Sequence, residues 1–379
     1  MKKICVITGC RSEYGIFYPI LKKIANSKKL KLQLVVSTMH LSNEFGLTYK
    51  KIEDDGFKID HKIDNLISSS SISSNSKSAG LAMILLSDVF INLKPDVVLL
   101  VGDRFETLAA ASCAMLMNIP IAHIHGGEIT EGSVDDKVRH SITKMSSIHF
   151  TSTEAYKNRV IQMGEDPKNV ICSGAPAIES ILNTKFISKK IIEKEISWKI
   201  NNQFALFTYH PETINPQSNK NNIIKILEHI KKTSISVIFT SSNCDTGGDE
   251  INYHLKQFVS KDPNRYFYIE NLGQDYYFSI MKLANLIIGN SSSGIIEAAC
   301  FHKPVVNIGN RQKGRIHGEN VINCNILNLN KSISRALSLD FVNHCMKLSN
   351  IYYNKNSSDI IIKNLINTEI STKKSFYNL

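Results

Sequence analysis

Several acidic and basic side chains lie where they could exchange protons with a bound molecule. Asp103 and His210 each follow a run rich in β-branched and aromatic or apolar residues, Glu128 closes a Gly-rich turn, and Asp135 opens a helical stretch. An acid at the carboxyl end of a strand is costly unless it caps the next helix or takes part in chemistry, and capping remains an alternative for Asp103 and Asp135. Together these proton carriers indicate general acid–base catalysis.

Two strand-to-helix turns carry groups that suit a phosphate. They span Thr8–Gly15 and Gly289–Gly294, and both place free backbone N–H groups at the start of a helix. The first turn is not a G-x-G-x-x-G sequence, so a nicotinamide cofactor is disfavoured. Anion-binding turns in both halves of the chain predict one diphosphate ligand, for which a nucleotide-sugar is the natural candidate; an ordinary turn and a capping serine run are the alternatives. The binding candidates in these turns and in the basic stretch 311–315 are Arg11, Ser291, Ser292, Glu297 and Arg311.

A repeating pattern of short apolar runs and helical stretches must position these residues. Runs such as Val97–Val101 lack polar alternation, as is typical of buried parallel strands, and helical stretches such as Phe105–Met117 lie between them. The pattern breaks near residues 183–202 and then restarts. It predicts an α/β fold with two Rossmann-like doubly wound domains facing a cleft. The expected domains are residues 1–180 and 181–350, with residues 351–379 as a C-terminal helix that packs back on the first domain.

Composition narrows the class of protein. The 379 residues are 42% hydrophobic and 21% charged, as in a globular chain of two domains, and no wholly apolar run approaches the roughly 20 residues of a membrane-spanning helix. Since no signal-peptide pattern is apparent, we expect a cytoplasmic protein. The eight cysteines are scattered without metal-ligand spacing, so we expect no metal. The net charge of +11 is spread along the chain, which favours a basic surface over a nucleic-acid site.

In its motifs the chain resembles the hydrolysing UDP-N-acetylglucosamine 2-epimerase family, whose bacterial members serve sialic acid or legionaminic acid synthesis. The similarity runs from Lys3 to about Gly318, and its strength lies in the ordered set of motifs rather than in any one of them. The motifs are Thr8–Gly15, Met39–Ser42, Gly102–Arg104, Gly126–Glu128, Asp135-Asp136, Arg139–Lys144, His210–Thr213, Ser242–Gly247, Gly289–Gly294 and Arg311-Gln312.

The resemblance implies a GT-B-like fold, a homodimer or homotetramer, a UDP-sugar substrate, and no cofactor, nucleic-acid partner or membrane partner. It assigns proton transfer to Asp103 and Asp135, with Glu128 and His210 as further catalytic candidates. Some family members have Glu where this chain has His125, so the role of that Glu is open to His125, to Glu128 or to neither. The implied substrate-binding residues are Arg11, Ser12, Arg104, His125, Arg139, Asn243, Ser291, Ser292, Glu297 and Arg311, joined by His210.

These residue types suit a reaction that begins with departure of UDP from C1 of the sugar. Stabilisation of the leaving diphosphate by Arg and helix N-termini builds oxocarbenium character, which makes the C2 proton removable. A base takes that proton to give a glycal; water then adds at C1 while an acid reprotonates C2 from the other face. Such a reaction needs no metal or redox cofactor.

For the substrate we expect UDP-N-acetylglucosamine, converted to N-acetylmannosamine and UDP for sialic acid synthesis. The alternative is UDP-N,N'-diacetylbacillosamine, because Glu44–Tyr49 and the serine-rich run Ser68–Ser76 also resemble the legionaminic-type enzymes. A GT-B glycosyltransferase and a non-catalytic nucleotide-sugar sensor are further alternatives. The acids Asp103, Asp135 and Asp136 favour proton transfer over the acceptor binding of a glycosyltransferase, whereas a sensor would keep its response in Asp103→Asn.

Overall fold

The computed structural model describes residues 1–67, 73–214, 216–243, 245, 247–270 and 273–379. Residues 68–72 of the serine-rich run, and Cys244 and Thr246 of the Ser242–Gly247 motif, lie outside the described residues. The strands are β1 (Lys2–Thr8), β2 (Leu30–Ser37), β3 (His61–Ile63), β4 (Val97–Val101), β5 (Ile121–Ile124), β6 (Ile148–Thr151), β7 (Val170–Cys172), β8 (Phe204–Thr208), β9 (Ser236–Thr240), β10 (Tyr266–Ile269), β11 (Leu286–Gly289), β12 (Val305–Ile308) and β13 (Val321–Cys324). The helices are α1 (Arg11–Ala25), α2 (Tyr49–Asp54), α3 (Ser74–Leu93), α4 (Phe105–Leu116), α5 (Asp135–Met145), α6 (Glu154–Gln162), α7 (Pro176–Leu182), α8 (Lys189–Ile196), α9 (Asn219–Lys231), α10 (Gly248–Val259), α11 (Gln274–Leu283), α12 (Ser292–Ile296), α13 (Leu329–Ala336), α14 (Leu339–Cys345) and α15 (Ser357–Asn367).

The chain divides into two compact units. Unit 1 comprises Met1–Glu128, Asp135–Leu182 and Tyr352–Leu379, and unit 2 comprises Ile129–Val134 and Asn183–Ile351. The short segment Ile129–Val134 lies within the stretch expected for the first domain, but its contacts assign it to unit 2.

Unit 1 is built on a parallel sheet whose described strands have the order β3-β2-β1-β4-β5-β6-β7. Ile4 and Val6 of β1 point into a cluster that includes residues of α1 and α15, whereas Cys5 and Ile7 point into a second cluster with residues of α3, α4 and α5. Because helices cover both faces, the strand residues are apolar without alternation, as the sequence pattern predicts.

The C-terminal helix α15 is part of the core of unit 1. Ile361 and Leu365 are fully buried in the same cluster as α1. The Lys2 ammonium donates to the main-chain oxygen of Leu365 (2.8 Å), and the Ser358 hydroxyl donates to Oε1 of Glu179 (2.6 Å). These apolar and polar contacts fix the end of the chain on unit 1.

Unit 2 repeats the arrangement with a second parallel sheet in the order β10-β9-β8-β11-β12-β13. Its core contains Phe207 and Phe239 from the central strands and Ile226 and Ile230 from α9. Each sheet thus has the strand order of a doubly wound α/β fold.

Helix α3 is long and largely apolar. Among the described residues, α3 is the helix whose length and mean hydropathy of 1.3 are compatible with a membrane span, and 28% of the relevant window is buried. Scattered Ser, Asn, Lys and Asp residues interrupt it, which is why the sequence shows no continuous apolar run there. In the structure Ala82, Leu86 and Phe90 pack into the core of unit 1, as in a core helix.

Both sheets place their binding candidates at the same topological position. The chain order reverses between β1 and β4 in unit 1 and between β8 and β11 in unit 2. Ligands of open α/β sheets bind beyond the carboxyl ends of the strands at such a switch point. In unit 1 the turns 9–11 and 102–104 follow the two strands, and in unit 2 the turns 209–211 and 290–292 do so.

Candidate functional site

The turn after β1 is held by buried polar contacts. The Gly9 N–H donates to Oε2 of Glu13 (2.7 Å), and the Gly9 carbonyl accepts from Oγ1 of Thr38 (2.7 Å) and from the His40 N–H (3.3 Å). A Cβ atom at Gly9 would lie 2.5 Å from Oε1 of Glu106, so the close approach requires glycine. Thr38 has a φ of +46°, which is rare for a β-branched residue and stores strain beside the turn.

Arg11 and Ser12 open helix α1 directly after this turn. Arg11 is half-buried, whereas Ser12 is exposed and its hydroxyl lies 3.0 Å from the Cys10 sulfur. The structure therefore places both candidates at the carboxyl edge of β1, where the sequence predicts them.

Two buried carboxyl groups lie beneath the same turn. Nε of Arg104 donates to Oε1 of Glu106 (2.7 Å), and the Thr107 hydroxyl lies 3.3 Å from Oε1 of Glu13. Burial, with the charge of Glu106 as a further cause, raises the pKa of Glu13 to about 8, while Arg104 opposes the rise. Glu106 therefore orients Arg104, and Glu13 favours its neutral form at neutral pH.

A buried arginine connects the acids that follow β4 and β5. Arg139 of α5 is 1% exposed; its Nη2 is bonded to Oδ2 of Asp103, and its Nη1 donates to the main-chain oxygen of Glu128 (2.8 Å). A carboxylate oxygen of Asp136 lies 3.5 Å from Nη1. The guanidinium stabilises the ionised form of Asp103 and fixes its position, as expected for a buried charge with its counter-charge.

Glu128 and His125 form a close pair. Nδ1 of His125 lies 2.6 Å from Oε1 of Glu128, and the Ser152 hydroxyl donates to the same oxygen (2.7 Å). Glu128 is 1% exposed and His125 is 6% exposed. His123, two residues earlier, differs: its Nε2 lies 2.8 Å from the Gly102 oxygen, and burial lowers its pKa to about 3, so it is a neutral structural histidine.

Asp135 is the first residue of α5 and is half-buried. It follows the segment Ile129–Val134, which is held within unit 2. There the Glu131 N–H donates to the Lys313 oxygen (2.9 Å), and the last N–H of the segment donates to Oγ1 of Thr213 (2.9 Å). Glu128 and Asp135 therefore lie at the two ends of a segment whose hydrogen bonds are made with other residues of unit 2.

Asn290 links the two strand ends at the switch point of unit 2. Its Oδ1 accepts from the His210 N–H (2.7 Å), and its Nδ2 donates to the His210 carbonyl (2.8 Å). The preceding Gly289 has a φ of +135°, and a Cβ there would lie 1.8 Å from the Thr208 oxygen. Asn290 is part of the Gly289–Gly294 motif but was not among the predicted site residues. Its full burial and its two hydrogen bonds to the His210 main chain make it a positioning residue.

A hydrogen bond to the His210 ring determines which of its two nitrogens carries the proton. Nδ1 accepts from the Asn243 N–H (3.2 Å), so the neutral ring carries its proton on Nε2 and can donate from that atom. The side-chain amide of Asn243 donates to Oδ2 of Asp245 (2.5 Å). The main chain of Asn243, rather than its amide group, thus orients His210.

Ser291, Ser292 and Glu297 lie around helix α12. Ser291 is the N-cap, and its hydroxyl accepts from the Ser293 N–H (3.3 Å), which is the capping role considered above. Ser292 begins the helix and Glu297 follows its last residue, both half-buried. Arg311 reaches the same edge, since its Nη1 donates to the Asn290 oxygen (3.3 Å).

The structure thus brings the candidates together in two groups, each within its own unit. In unit 1, Arg139 binds Asp103 and the main-chain oxygen of Glu128, Glu128 binds His125, and Asp135 begins α5. Unit 1 also holds Arg11, Ser12 and Arg104, which follow β1 and β4. The residues of unit 2 are His210, Asn243, Ser291, Ser292, Glu297 and Arg311. Sequence reasoning missed the positioning residues Glu13, Glu106, Ser152 and Asn290. The contacts of Ser152 with Glu128 and of Asn290 with His210 join residues 24 and 80 positions apart, whereas those of Glu13 with Gly9 and of Glu106 with Arg104 are local. Among the described residues, no group of three His, Cys, Asp or Glu side chains could hold a metal ion.

The chain is similar in sequence and in fold to known proteins. Residues 22–366 match the family model described as UDP-N-acetylglucosamine 2-epimerase. The chain is 42% identical over 343 residues to the "GDP/UDP-N,N'-diacetylbacillosamine 2-epimerase (hydrolyzing)" of Campylobacter jejuni, covering 90% of this chain and 88% of the relative. It is 36% identical to the "Polysialic acid biosynthesis protein P7" of Escherichia coli, covering 100% of this chain and 98% of the relative. A UDP-GlcNAc 2-epimerase of Neisseria meningitidis, solved bound to UDP-GlcNAc, superimposes with a TM-score of 0.81 at 21% identity, covering 97% of this chain and 100% of that one, which identifies the fold as GT-B-like.

Proposed function

Because the chain belongs to the UDP-N-acetylglucosamine 2-epimerase family, we propose that it is a hydrolysing 2-epimerase that cleaves a UDP-linked 2-acetamido sugar and inverts its C2. The observation that carries the proposal is the group of proton carriers that is fixed at the carboxyl edge of β4 and β5. Arg139 binds the carboxylate of Asp103 and the main-chain oxygen of Glu128, and the carboxylate of Glu128 binds His125. A protein that only binds a nucleotide-sugar has no need for buried proton carriers fixed at this edge.

We assign nucleotide binding to unit 2. Nε2 of His210, the guanidinium of Arg311 and the backbone around Ser291 and Ser292 offer donors for the two phosphates, and Glu297 offers a carboxylate for the ribose hydroxyls. The contacts of Asn290 support this assignment. Its side-chain amide fixes the His210 main chain, and the main-chain oxygen of Asn290 accepts from Arg311. In unit 1, Arg11, Ser12 and Arg104 supply further donors at the edge of β1 and β4.

The proposed reaction has two proton transfers at C2. The C1–O bond to UDP breaks with its electron pair going to the diphosphate, whose charge the arginines stabilise, and a base removes the C2 proton to give a glycal. Water then adds at C1 and loses a proton, while an acid returns a proton to C2 on the opposite face. Asp103, Asp135, Glu128 and His210 are the candidates for these steps, and the products are UDP and the 2-epimeric free sugar.

Two substrates have support. UDP-N-acetylglucosamine, the first expectation from the sequence, is the sugar nucleotide in the Neisseria meningitidis structure, and the name of the Escherichia coli relative connects that protein with polysialic acid biosynthesis. The name of the Campylobacter jejuni relative, at 42% identity, supports UDP-N,N'-diacetylbacillosamine as the second candidate. Either product would feed the synthesis of a surface polysaccharide built from nonulosonic acids.

The test is turnover of each nucleotide-sugar by the purified protein, with UDP release and the free sugar followed by proton NMR. We expect one substrate to give equal amounts of UDP and the 2-epimer, and Asp103→Asn to lower the rate by about 10²–10⁴-fold. Asp88→Asn, at an exposed position on α3, is the matched control and should keep wild-type turnover. UDP release that requires an added sugar acceptor would instead indicate a glycosyltransferase, and binding without turnover a sensor.

A further inference from the structure

His125 has an unusual backbone conformation that the surrounding structure enforces. Its φ is +69°, in the left-handed region that residues other than glycine adopt infrequently. The next residues are held tightly: the Gly127 oxygen accepts from Nη1 of Arg159 (2.7 Å), and a Cβ atom on Gly127 would lie 2.6 Å from the Tyr156 oxygen. The His125 N–H donates to the Phe150 oxygen (2.9 Å). A strained backbone conformation that the surrounding contacts hold in place is typical of functional positions.

The ring of His125 is oriented through one nitrogen only. Nδ1 lies 2.6 Å from Oε1 of Glu128, which also accepts from the Ser152 hydroxyl. An ionised carboxylate only accepts, so the neutral imidazole carries its proton on Nδ1 and its lone pair on Nε2. Oε1 of Glu128 accepts from both His125 and Ser152, so this carboxylate orients the ring, whereas Nε2 of the ring keeps a lone pair for a substrate proton.

Within the part of the chain that the structure describes, the other nitrogen of His125 has no hydrogen-bond partner. Nε2 is buried, and no described residue makes a hydrogen bond with it. A buried polar atom left unpaired costs free energy, so its retention calls for an explanation. Val101 pairs with Ile124 in the sheet, so Asp103 and His125 follow neighbouring strand ends, and Arg139 joins the group that contains them.

We propose that His125 is the catalytic base that removes the C2 proton, and that Glu128 is a positioning residue that acts through it. The inference builds on the proposed epimerase function and assigns one of its two proton transfers. The sequence placed Glu128 among the catalytic and His125 among the binding candidates, and left the role of the Glu found in some family members open to His125, to Glu128 or to neither; the proposal chooses His125.

The proton and the electron pairs of this elimination are all accounted for by His125, Glu128 and the leaving UDP. Nε2 takes the C2 proton as the C1–O bond to UDP breaks, giving a glycal, UDP and an imidazolium whose charge the Glu128 carboxylate offsets. The imidazolium returns its proton to solvent after the sugar is hydrated. Asp103 is the weaker candidate for this base, because the guanidinium of Arg139 stabilises its ionised form.

The charged groups around the pair are Glu128 on its own turn, Arg139 on α5 and Arg159 on α6, with Asp103 on the far side of Arg139. Of these, Glu128 alone contacts the His125 ring in the described part of the chain. Removal of its charge therefore disfavours the imidazolium, and the acidic limb of the pH–rate profile should move to lower pH.

The experiment combines kinetics with imidazole NMR. We expect His125→Gln to lower UDP release by about 10²–10⁴-fold without a change in UDP affinity, and His125→Glu to restore part of the rate because it supplies a carboxylate base. Glu128→Gln should lower kcat with little change in KM and move the acidic limb downward. The matched control is Glu165→Gln, which alters another buried histidine–carboxylate pair (His149 Nε2 to Glu165 Oε2, 3.0 Å) and should leave the profile unchanged.

A ¹⁵N-detected imidazole spectrum of the wild-type protein needs no substrate and should show the Nδ1-protonated tautomer for the resonance lost in His125→Gln. An Nε2-protonated ring overturns the proposal, as does full activity of His125→Gln beside an active wild type, or loss of rate in Glu128→Gln with an unmoved pH limb. If wild-type protein turns over neither nucleotide-sugar, the proposed function itself fails and the base assignment with it.

Discussion

At the scale of single residues, the least expected feature is the burial of two carboxyl groups under the Gly9 turn. Glu13 contributes an acceptor for the Gly9 N–H, and Glu106 orients Arg104. Burial and the neighbouring charge raise the pKa of Glu13 to about 8. A carboxyl group whose pKa is raised in the folded state stabilises the fold while it is protonated, and this contribution is lost as the pH rises toward that value.

The free energy of unfolding should therefore respond to Glu13 in a pH-dependent way. The contribution is complete below the ordinary range of a glutamate, near 4.3, and declines as the pH rises from there to about 8. A glutamine keeps an acceptor for Gly9 and carries no charge. In urea unfolding, Glu13→Gln should become progressively more stable relative to wild type between about pH 5 and about pH 8. A difference that stays constant with pH would contradict the raised pKa.

At the scale of elements, helix α15 shows how distant parts of the chain complete one core. Its apolar spacing predicts a helix, and its fully buried Leu365 lies in the same cluster as α1 and the central strands. We expect Leu365→Ala to lower the free energy of unfolding of unit 1 by about 2–5 kcal/mol, because it leaves a cavity in that cluster. The matched control is Lys363→Ala on the exposed side of the helix, and equal losses for both variants would show that α15 is not part of the core.

The long elements could be predicted from sequence because each carries its own signal. Apolar runs without alternation predicted β1, β4 and β8, and the ordered motifs predicted the GT-B-like fold. The short strands β3 and β13 were not predicted, since the polar residues His61 and Lys62 in β3 and Asn323 in β13 interrupt the apolar run that marked other strands of similar length. The contacts of Arg139 with Asp103 and Glu128 likewise have no local signal, because they join residues 36 and 11 positions apart.

At the scale of the whole molecule, the two units share one sheet order over six strands, with β7 as a seventh in unit 1, but they carry different functional groups. Unit 2 has donors suited to phosphates around His210, Asn290 and Arg311, whereas unit 1 has the proton carriers Asp103, Glu128 and His125. On our assignment, UDP alone should bind to unit 2. Hydrogen exchange should then slow at 208–213 and 289–297 on addition of UDP, and a hundredfold excess over Kd should stabilise the protein by about 2.7 kcal/mol.

Asn290→Ala is the informative variant for this assignment. It removes the clamp on the His210 main chain, so UDP protection at both segments should be lost together. Asn364→Ala, on α15 of unit 1, is a matched change of an amide side chain and should keep it. Protection by UDP that is confined to unit 1 would contradict the assignment.

The most direct measurement of the central claim follows two isotopes through one reaction. The protein is incubated with each nucleotide-sugar in D2O enriched in ¹⁸O, and UDP and the free sugar are analysed by NMR and mass spectrometry. We predict deuterium at C2 of the 2-epimer and no ¹⁸O in UDP, because the C1–O bond breaks and the C2 proton is exchanged. Incorporation of ¹⁸O into the UDP phosphate, or a released sugar that retains its C2 hydrogen and configuration, would contradict it.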